Sequence, residues 1–220
     1  GTVPPAALTF TTTNWATPQI VAVTGANDFV MDGDVAYTIV TTITSAGGDY
    51  LSVAVDDVAV TNLDDDVAGV TVTPTSGLET TEAGGTATFT VVLDSQPSAG
   101  KTVRVGFTST DTSEGTVPNF VTFTDTDWNT PQTVTVTGVD DGDNDNNVGY
   151  KIKTSIISTP TSDVNFAFVD PDDVLVTNID NENVAPVLTL PRGMTFYGIG
   201  TDGIAVDSHT TLVDTDPSNY

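Results

Sequence analysis

Thirty of the 220 residues are Asp or Glu against five Lys or Arg, and the acids gather in short runs. The densest is Asp140-Asp141-Gly142-Asp143-Asn144-Asp145-Asn146-Asn147, lying between two segments of alternating apolar residues; Asp64-Asp65-Asp66 and Asp180-Asn181-Glu182 each follow another such segment. Two chemistries are open to carboxylates in this pattern. As solvated turn residues they cap backbone amides and keep a threonine-rich surface soluble. Converging from several loops, they supply the six to eight oxygens that calcium takes at about 2.3 to 2.6 Å. Acidic clusters repeated at strand ends favour the cation, because carboxylates this close repel one another unless something neutralises them. Asp141-Gly142-Asp143-Asn144-Asp145-Asn146 imitates the start of an EF-hand loop, but its twelfth position is Ile152 rather than Glu and no helical pattern flanks it.

The same composition excludes other chemistries. A net charge of -25 repels phosphate backbones and anionic headgroups, so nucleic acid is not an expected partner. There is no cysteine, and His209 is the sole histidine, which removes thiolate catalysis, Cys/His zinc sites and conventional Ser-His relays. Gly198-Ile199-Gly200-Thr201-Asp202-Gly203 spells a dinucleotide fingerprint, yet no helical pattern follows it. No apolar run reaches the roughly 18 residues of a membrane helix, and Gly1 to Phe10 lacks the charged start of a signal peptide, so membrane insertion is not expected and any export signal lies outside this sequence. Paired glycosidase-type carboxylates are compatible with the spacing, but acids that recur with a repeat belong to a spacer rather than to one active site, and no enzyme activity is expected.

The elements that position these acids are strands. Thr and Val make up a third of the chain, and both favour pleated backbone. Thr9-Phe10-Thr11, Trp15 and Thr17-Pro18-Gln19 through Thr24-Gly25 recur 113 residues later as Thr122-Phe123-Thr124, Trp128 and Thr130-Pro131-Gln132 through Thr137-Gly138. Asp57-Val58 through Asp64 recur 116 residues later as Asp173-Val174 through Asp180. One module is therefore present twice, the first time without its opening third. Residues 1–66 read as the C-terminal part of one repeat, 67–183 as a complete repeat, and 184–220 as the N-terminal part of a different domain. Either this is an excerpt of a longer tandem array, the favoured reading, or the partial ends are completed by a neighbouring chain. Period-two alternation predicts strands at about 69–74, 86–94, 101–108, 119–124, 132–139, 148–157 and 173–179, with Ala87, Phe89, Val91, Leu93, Val103, Val105 and Phe107 inward and Thr88, Thr90 and Arg104 outward. Seven strands in such a length predict an all-β fold of tandem immunoglobulin-like Greek-key sandwiches. Trp15 and Trp128 are expected to pack over an open sandwich end, with sugar stacking as the alternative.

Glu82-Ala83-Gly84-Gly85-Thr86-Ala87, Val121-Thr122-Phe123, Gly138-Val139-Asp140-Asp141 and Val174-Leu175-Val176-Thr177-Asn178-Ile179-Asp180 together resemble the Calx-beta repeat, in the variant found in very large bacterial surface adhesins. Asp180-Asn181-Glu182-Asn183-Val184-Ala185-Pro186 is similar to the linker of cadherin repeats, and residues 186–220 resemble the start of a cadherin-like domain. The first resemblance implies a calcium-binding sandwich whose acidic loops meet at one end. The implied calcium ligands are Glu82, Asp111, Asp140, Asp141, Asp145, Asp180, Asn181 and Glu182, with Asp28, Asp32, Asp64, Asp65 and Asp66 as partial equivalents and Asn27 in place of one acid. It also implies a secreted protein of the bacterial surface, in which such modules form a calcium-stiffened structural extender whose partners are neighbouring repeats or identical chains. Two alternatives stand beside it: a module binding a carbohydrate or protein ligand, and a filament subunit completed by strands from a neighbour.

Overall fold

The computed structural model describes residues 1–45 and 47–182. The cadherin-like stretch, the Gly198 to Gly203 fingerprint and His209 lie outside them. The described residues form strands joined by loops, with one short 3-10 turn at Val164–Phe166. None of their helices is long and apolar enough to cross a membrane.

Eleven strands are numbered in chain order: β1 (Val35–Ile39), β2 (Val58–Asn62), β3 (Val70–Thr73), β4 (Leu78–Thr81), β5 (Thr86–Leu93), β6 (Thr102–Ser109), β7 (Gly115–Thr116), β8 (Phe120–Thr124), β9 (Gln132–Gly138), β10 (Val148–Ile156) and β11 (Val174–Ile179). Strands β4-β11-β10-β6-β8 make one sheet and β3-β5-β9-β7 the other. All pairs are antiparallel except β4 with β11. Non-consecutive pairing of β5 with β9 and of β6 with β10 is the Greek-key signature of an immunoglobulin-like sandwich.

Alternation decides the faces. Phe89, Val91 and Leu93 of β5 meet Val103, Val105 and Phe107 of β6 in a core completed by Phe123, Val134, Val136, Ile152, Phe166, Val174 and Val176. Phe89 and Phe107 stack edge to face, with ring centroids 5.6 Å apart. Thr88 is exposed, whereas Arg104 is only half-exposed, its guanidinium lying 4.1 Å from the Phe120 ring centroid. Two strands escape the alternation rule. In β4, Leu-Glu-Thr-Thr carries one apolar residue, and its inward Thr80 is buried by hydrogen bonding rather than by hydrophobicity. β7 is only two residues long.

The first copy repeats the second at atomic detail. β1 pairs β2 from Val35↔Asn62 to Ile39↔Val58, the same register as β10 and β11 from Val148↔Asn178 to Ile152↔Val174. Asn62 donates its amide to the Ala26 carbonyl at 2.8 Å, and Asn178 to that of Val139 at 3.0 Å. The Gln of each Thr-Pro-Gln donates to a preceding threonine carbonyl, Gln19 to Thr9 at 3.0 Å and Gln132 to Thr122 at 2.9 Å. The glycine ending each Val-Thr-Gly has a steric reason: a Cβ on Gly25 would collide with the Asn62 side chain, and one on Gly138 with Asn178 and the Thr81 carbonyl. Trp128 packs against the core as expected, but Trp15 is 73% exposed. Residues 1–66 present only the β1-β2 sheet among the described residues, with no second sheet for an indole to cover.

Candidate metal centre

Four chain segments reach the same end of the sandwich: the β4–β5 turn, the β6–β7 loop, the β9–β10 loop and the exit of β11. They bring six carboxylates into two groups, Glu82 with Asp180 and Glu182, and Glu114 with Asp141 and Asp145; within each group the oxygens lie within 4.8 Å of one another. Each group contains one acid taken out of water, for Glu82 and Glu114 are both 3% exposed. The groups adjoin, since Asp145 feels the charges of Asp180 and Glu82 as well as that of Asp141.

Backbone geometry holds the loops in place. Asp180 accepts the Glu182 N–H at 2.9 Å and the Asn146 N–H at 2.9 Å. The second bond requires left-handed backbone, with Asn146 at φ 66. In the first copy Gly33 takes that position at φ 82 and donates to Asp64 at 2.6 Å, while Asp66 donates to Asp64 at 3.0 Å. Gly and Asn are the residues that tolerate this conformation most readily, which explains the exchange. On the buried side, Asn178 donates to Glu114 at 3.3 Å and accepts from the Thr80 hydroxyl at 2.9 Å.

The electrostatics record crowding. Glu182 is pushed up to about 7 by the adjoining Glu82 carboxyl and by burial, and among the described residues its Oε2 has no hydrogen-bond partner. Burial raises Glu114 and Asp145, and the neighbouring acids push both further. Asp180 is lowered, chiefly by the Glu182 N–H. Among the described residues, every ionic neighbour acting on Glu182, Glu114 and Asp145 is another carboxylate. An all-oxygen donor set with buried, uncompensated negative charge fits a hard divalent cation, and calcium, which tolerates irregular coordination, in preference to zinc.

Of the ligands expected for this copy, Glu82, Asp141, Asp145, Asp180 and Glu182 fall in the two groups. Asp140 stands outside them, close enough to raise Glu182 by its charge. Asn181 serves as a donor, giving its backbone N–H to Glu82 at 2.9 Å. Asp111 turns back on its own loop to accept from the Ser113 hydroxyl at 2.5 Å, which lowers it, and Glu114 enters the group. Glu114 escaped the sequence reading because a single acid between Ser113 and Gly115 carries no cluster signal. The fold alone places it there: the chain is packed so tightly beside it that a Cβ on Gly115 would strike the Tyr150 ring. In the first copy, Asp28, Asp32, Asp64, Asp65 and Asp66 line one concavity, and burial together with the four other acids raises Asp66. This sequence contains no first-copy counterpart of Glu82 or Glu114.

No family model matches the sequence, and no curated protein matches it. Solved structures do. The chain is similar to an apo-form Calx CBD1 domain at 11% identity and TM-score 0.36, covering 53% of this chain and 100% of that one. It is similar to CBD12 from CALX1.2 at 12% identity and TM-score 0.37, over 52% of this chain and 44% of that one. A third likeness is to domains 1–6 of the surface layer protein SbsC, at 20% identity and TM-score 0.33, over 72% and 19% of the two chains. Scores this low carry no functional argument.

The shifted acids predict an unusual pH dependence in the chelated protein. A carboxyl whose folded pKa is raised binds its proton more tightly when folded, so its stabilisation is complete below the unfolded value and is lost as pH rises through the folded one. For Glu182 that window runs from 4.5 to about 7, and Glu114 and Asp145 act in the same direction. Asp180 and Asp111 are lowered, so their contribution is lost as pH falls. The melting temperature in chelator is expected to fall between pH 5 and 8. In calcium the fall should vanish, because the cation takes the proton's place and binds more tightly as pH rises through 7. Parallel melting curves with and without calcium across this range would contradict the assignment.

Proposed function

We propose that this chain is a run of calcium-binding, immunoglobulin-like extender modules from a secreted bacterial cell-surface adhesin or fibre, and that it has no catalytic role. On this reading residues 1–66 end one Calx-beta-like repeat, 67–183 form the next, and 184–220 begin a cadherin-like domain. The observation that carries the reading is the pair of three-carboxylate groups, each with a buried glutamate, gathered where β11 leaves the sandwich toward the following residues. A cation there ties the exit strand to the β4–β5 turn through Asp180, Glu182 and Glu82, and ties the β9–β10 loop to the β6–β7 loop through Asp141, Asp145 and Glu114. Without it the same groups repel. Binding therefore stiffens the module end from which the next module departs, and it does so at the roughly 0.1 to 1 mM affinity of extracellular calcium modules. The partners are neighbouring repeats of the same polypeptide or identical chains in a fibre. Small-angle scattering of the whole chain should give a longer maximum dimension in millimolar calcium than in chelator. The same profile in both would end the stiffening mechanism.

A further inference from the structure

The two copies differ most tellingly at the tip of one loop. Position by position, Asp28-Phe29-Val30-Met31-Asp32 of the first copy corresponds to Asp141-Gly142-Asp143-Asn144-Asp145 of the second. The flanking acids and their bonds are kept, with the Val30 N–H on Asp28 at 3.0 Å and the Asp143 N–H on Asp141 at 2.9 Å. Between them an apolar tip has been exchanged for a polar one.

The apolar tip is partly in use, for Phe29 stays 56% and Met31 38% exposed. Phe29 lies against Trp128 with ring centroids 5.7 Å apart and planes tilted by 41°. The Phe29 carbonyl accepts the Gln96 N–H at 2.6 Å, the Met31 carbonyl accepts the Asn165 amide, and the Met31 sulfur accepts the Ala68 N–H at 3.4 Å. Gln96 follows β5, Trp128 precedes β9, Asn165 lies between β10 and β11, and Ala68 precedes β3. All four therefore sit at the end of the sandwich opposite its own acidic loops. The acid-bearing end of the first copy meets the opposite end of the second, head to tail, where the nearby aspartates Asp125, Asp127 and Asp163 accept backbone N–H hydrogen bonds.

We infer that Phe29-Val30-Met31 is an apolar plug that locks the first repeat onto the Trp128 end of the next, and that the residues at this loop tip determine which joints of the array are locked. A copy ending in Gly142-Asp143-Asn144 offers the following domain no such plug. This inference deepens the extender reading and rests on it, but the plug itself uses no cation. The acids flanking it share a concavity with Asp64, Asp65 and Asp66, so neutralising them steadies the base of the loop while Phe29 keeps its place on Trp128.

The whole chain tests this, because it contains no cysteine to compete for labels. Spin labels at Thr61→Cys on β2 and Thr135→Cys on β9, both exposed positions, report the distance between the repeats. The parent chain should give a narrow distance distribution. The transplant Phe29→Gly, Val30→Asp, Met31→Asn should at least double its width, and Phe29→Leu, which keeps an apolar seat, should leave it near the parent. Equal widths in parent and transplant would overturn the plug. So would a broad parent, or a Phe29→Leu variant as broad as the transplant. Measured in calcium and in chelator, the same labels separate the two ideas. A width that responds to the transplant but not to calcium would sink calcium stiffening alone, and one that responds to calcium but not to the transplant would sink the plug alone.

Discussion

Millimolar calcium is expected to raise the melting temperature of the β3–β11 sandwich by about 10 °C over the chelated protein, and equal magnesium by much less. At about ten times its dissociation constant, as millimolar calcium stands to a site of roughly 0.1 mM, a ligand stabilises the folded state by about 1.4 kcal/mol per site, and two such sites by about 2.8 kcal/mol. About 1 kcal/mol moves the midpoint of a domain near 100 residues by roughly 4 °C or more. Here the cation also removes a standing penalty, since Glu182, Glu114 and Asp145 are all held above their ordinary values by burial and by neighbouring carboxylates. Magnesium dehydrates reluctantly and demands octahedral geometry, so two irregular groups of buried and exposed carboxylates suit it poorly. Glu82→Gln and Glu114→Gln should each take away about half of the calcium increment, because they belong to different groups. In chelator, both variants should melt no lower than the parent, having lost a buried charge with no cationic partner. Calorimetry reads each of these quantities. Equal effects of calcium and magnesium, or a calcium effect untouched by either variant, would return the acids to the role of solvated turn residues.

Asn178→Ala should destabilise the sandwich by about 3 kcal/mol, whereas Asn62→Ala at the equivalent position of the first copy should cost under about 1 kcal/mol. The two asparagines share a strand register and a carbonyl partner. They differ in burial. Asn178 is 1% exposed and joins Thr80, Glu114 and the Val139 carbonyl, so truncation strands the buried Glu114, leaves Thr80 with Tyr150 alone and frees the carbonyl of half-buried Val139. Asn62 remains half-exposed, and water can replace its amide at the Ala26 carbonyl. Because Asn178 also orients Glu114, its loss should reduce the calcium increment of the group containing Glu114 while sparing the one containing Glu82. Urea unfolding followed through Trp128 in a Trp15→Phe background measures the first effect, and the same titration in calcium measures the second. Similar small losses at both positions would mean that the buried network does not hold the acidic end together.

Period-two alternation was enough to place the core strands, because every second residue of β5 and β6 must leave water in a two-sheet sandwich, and Phe89, Val91, Leu93, Val103, Val105 and Phe107 do. It could not see β4, whose inward Thr80 is buried by its bonds to Asn178 and Tyr150. The internal repeat was equally legible. The offsets that align Asp64 with Asp180 and Asn62 with Asn178 reappear as one hydrogen-bonding pattern in both copies.

What the sequence determined by itself is therefore what depends on neighbours along the chain: strand faces, turn residues such as Gly33 and Asn146, and the loops on which acids are concentrated. The tertiary structure decided which of those acids meet. Asp111 and Glu114 are three residues apart on one loop, yet Asp111 is turned onto Ser113 while Glu114 is buried beside Asn178, Asp141 and Asp145. That choice is made by strands far away in sequence, and so is the seating of Phe29 on Trp128, because burial and charge repulsion act across space and only the packed sandwich sets those distances.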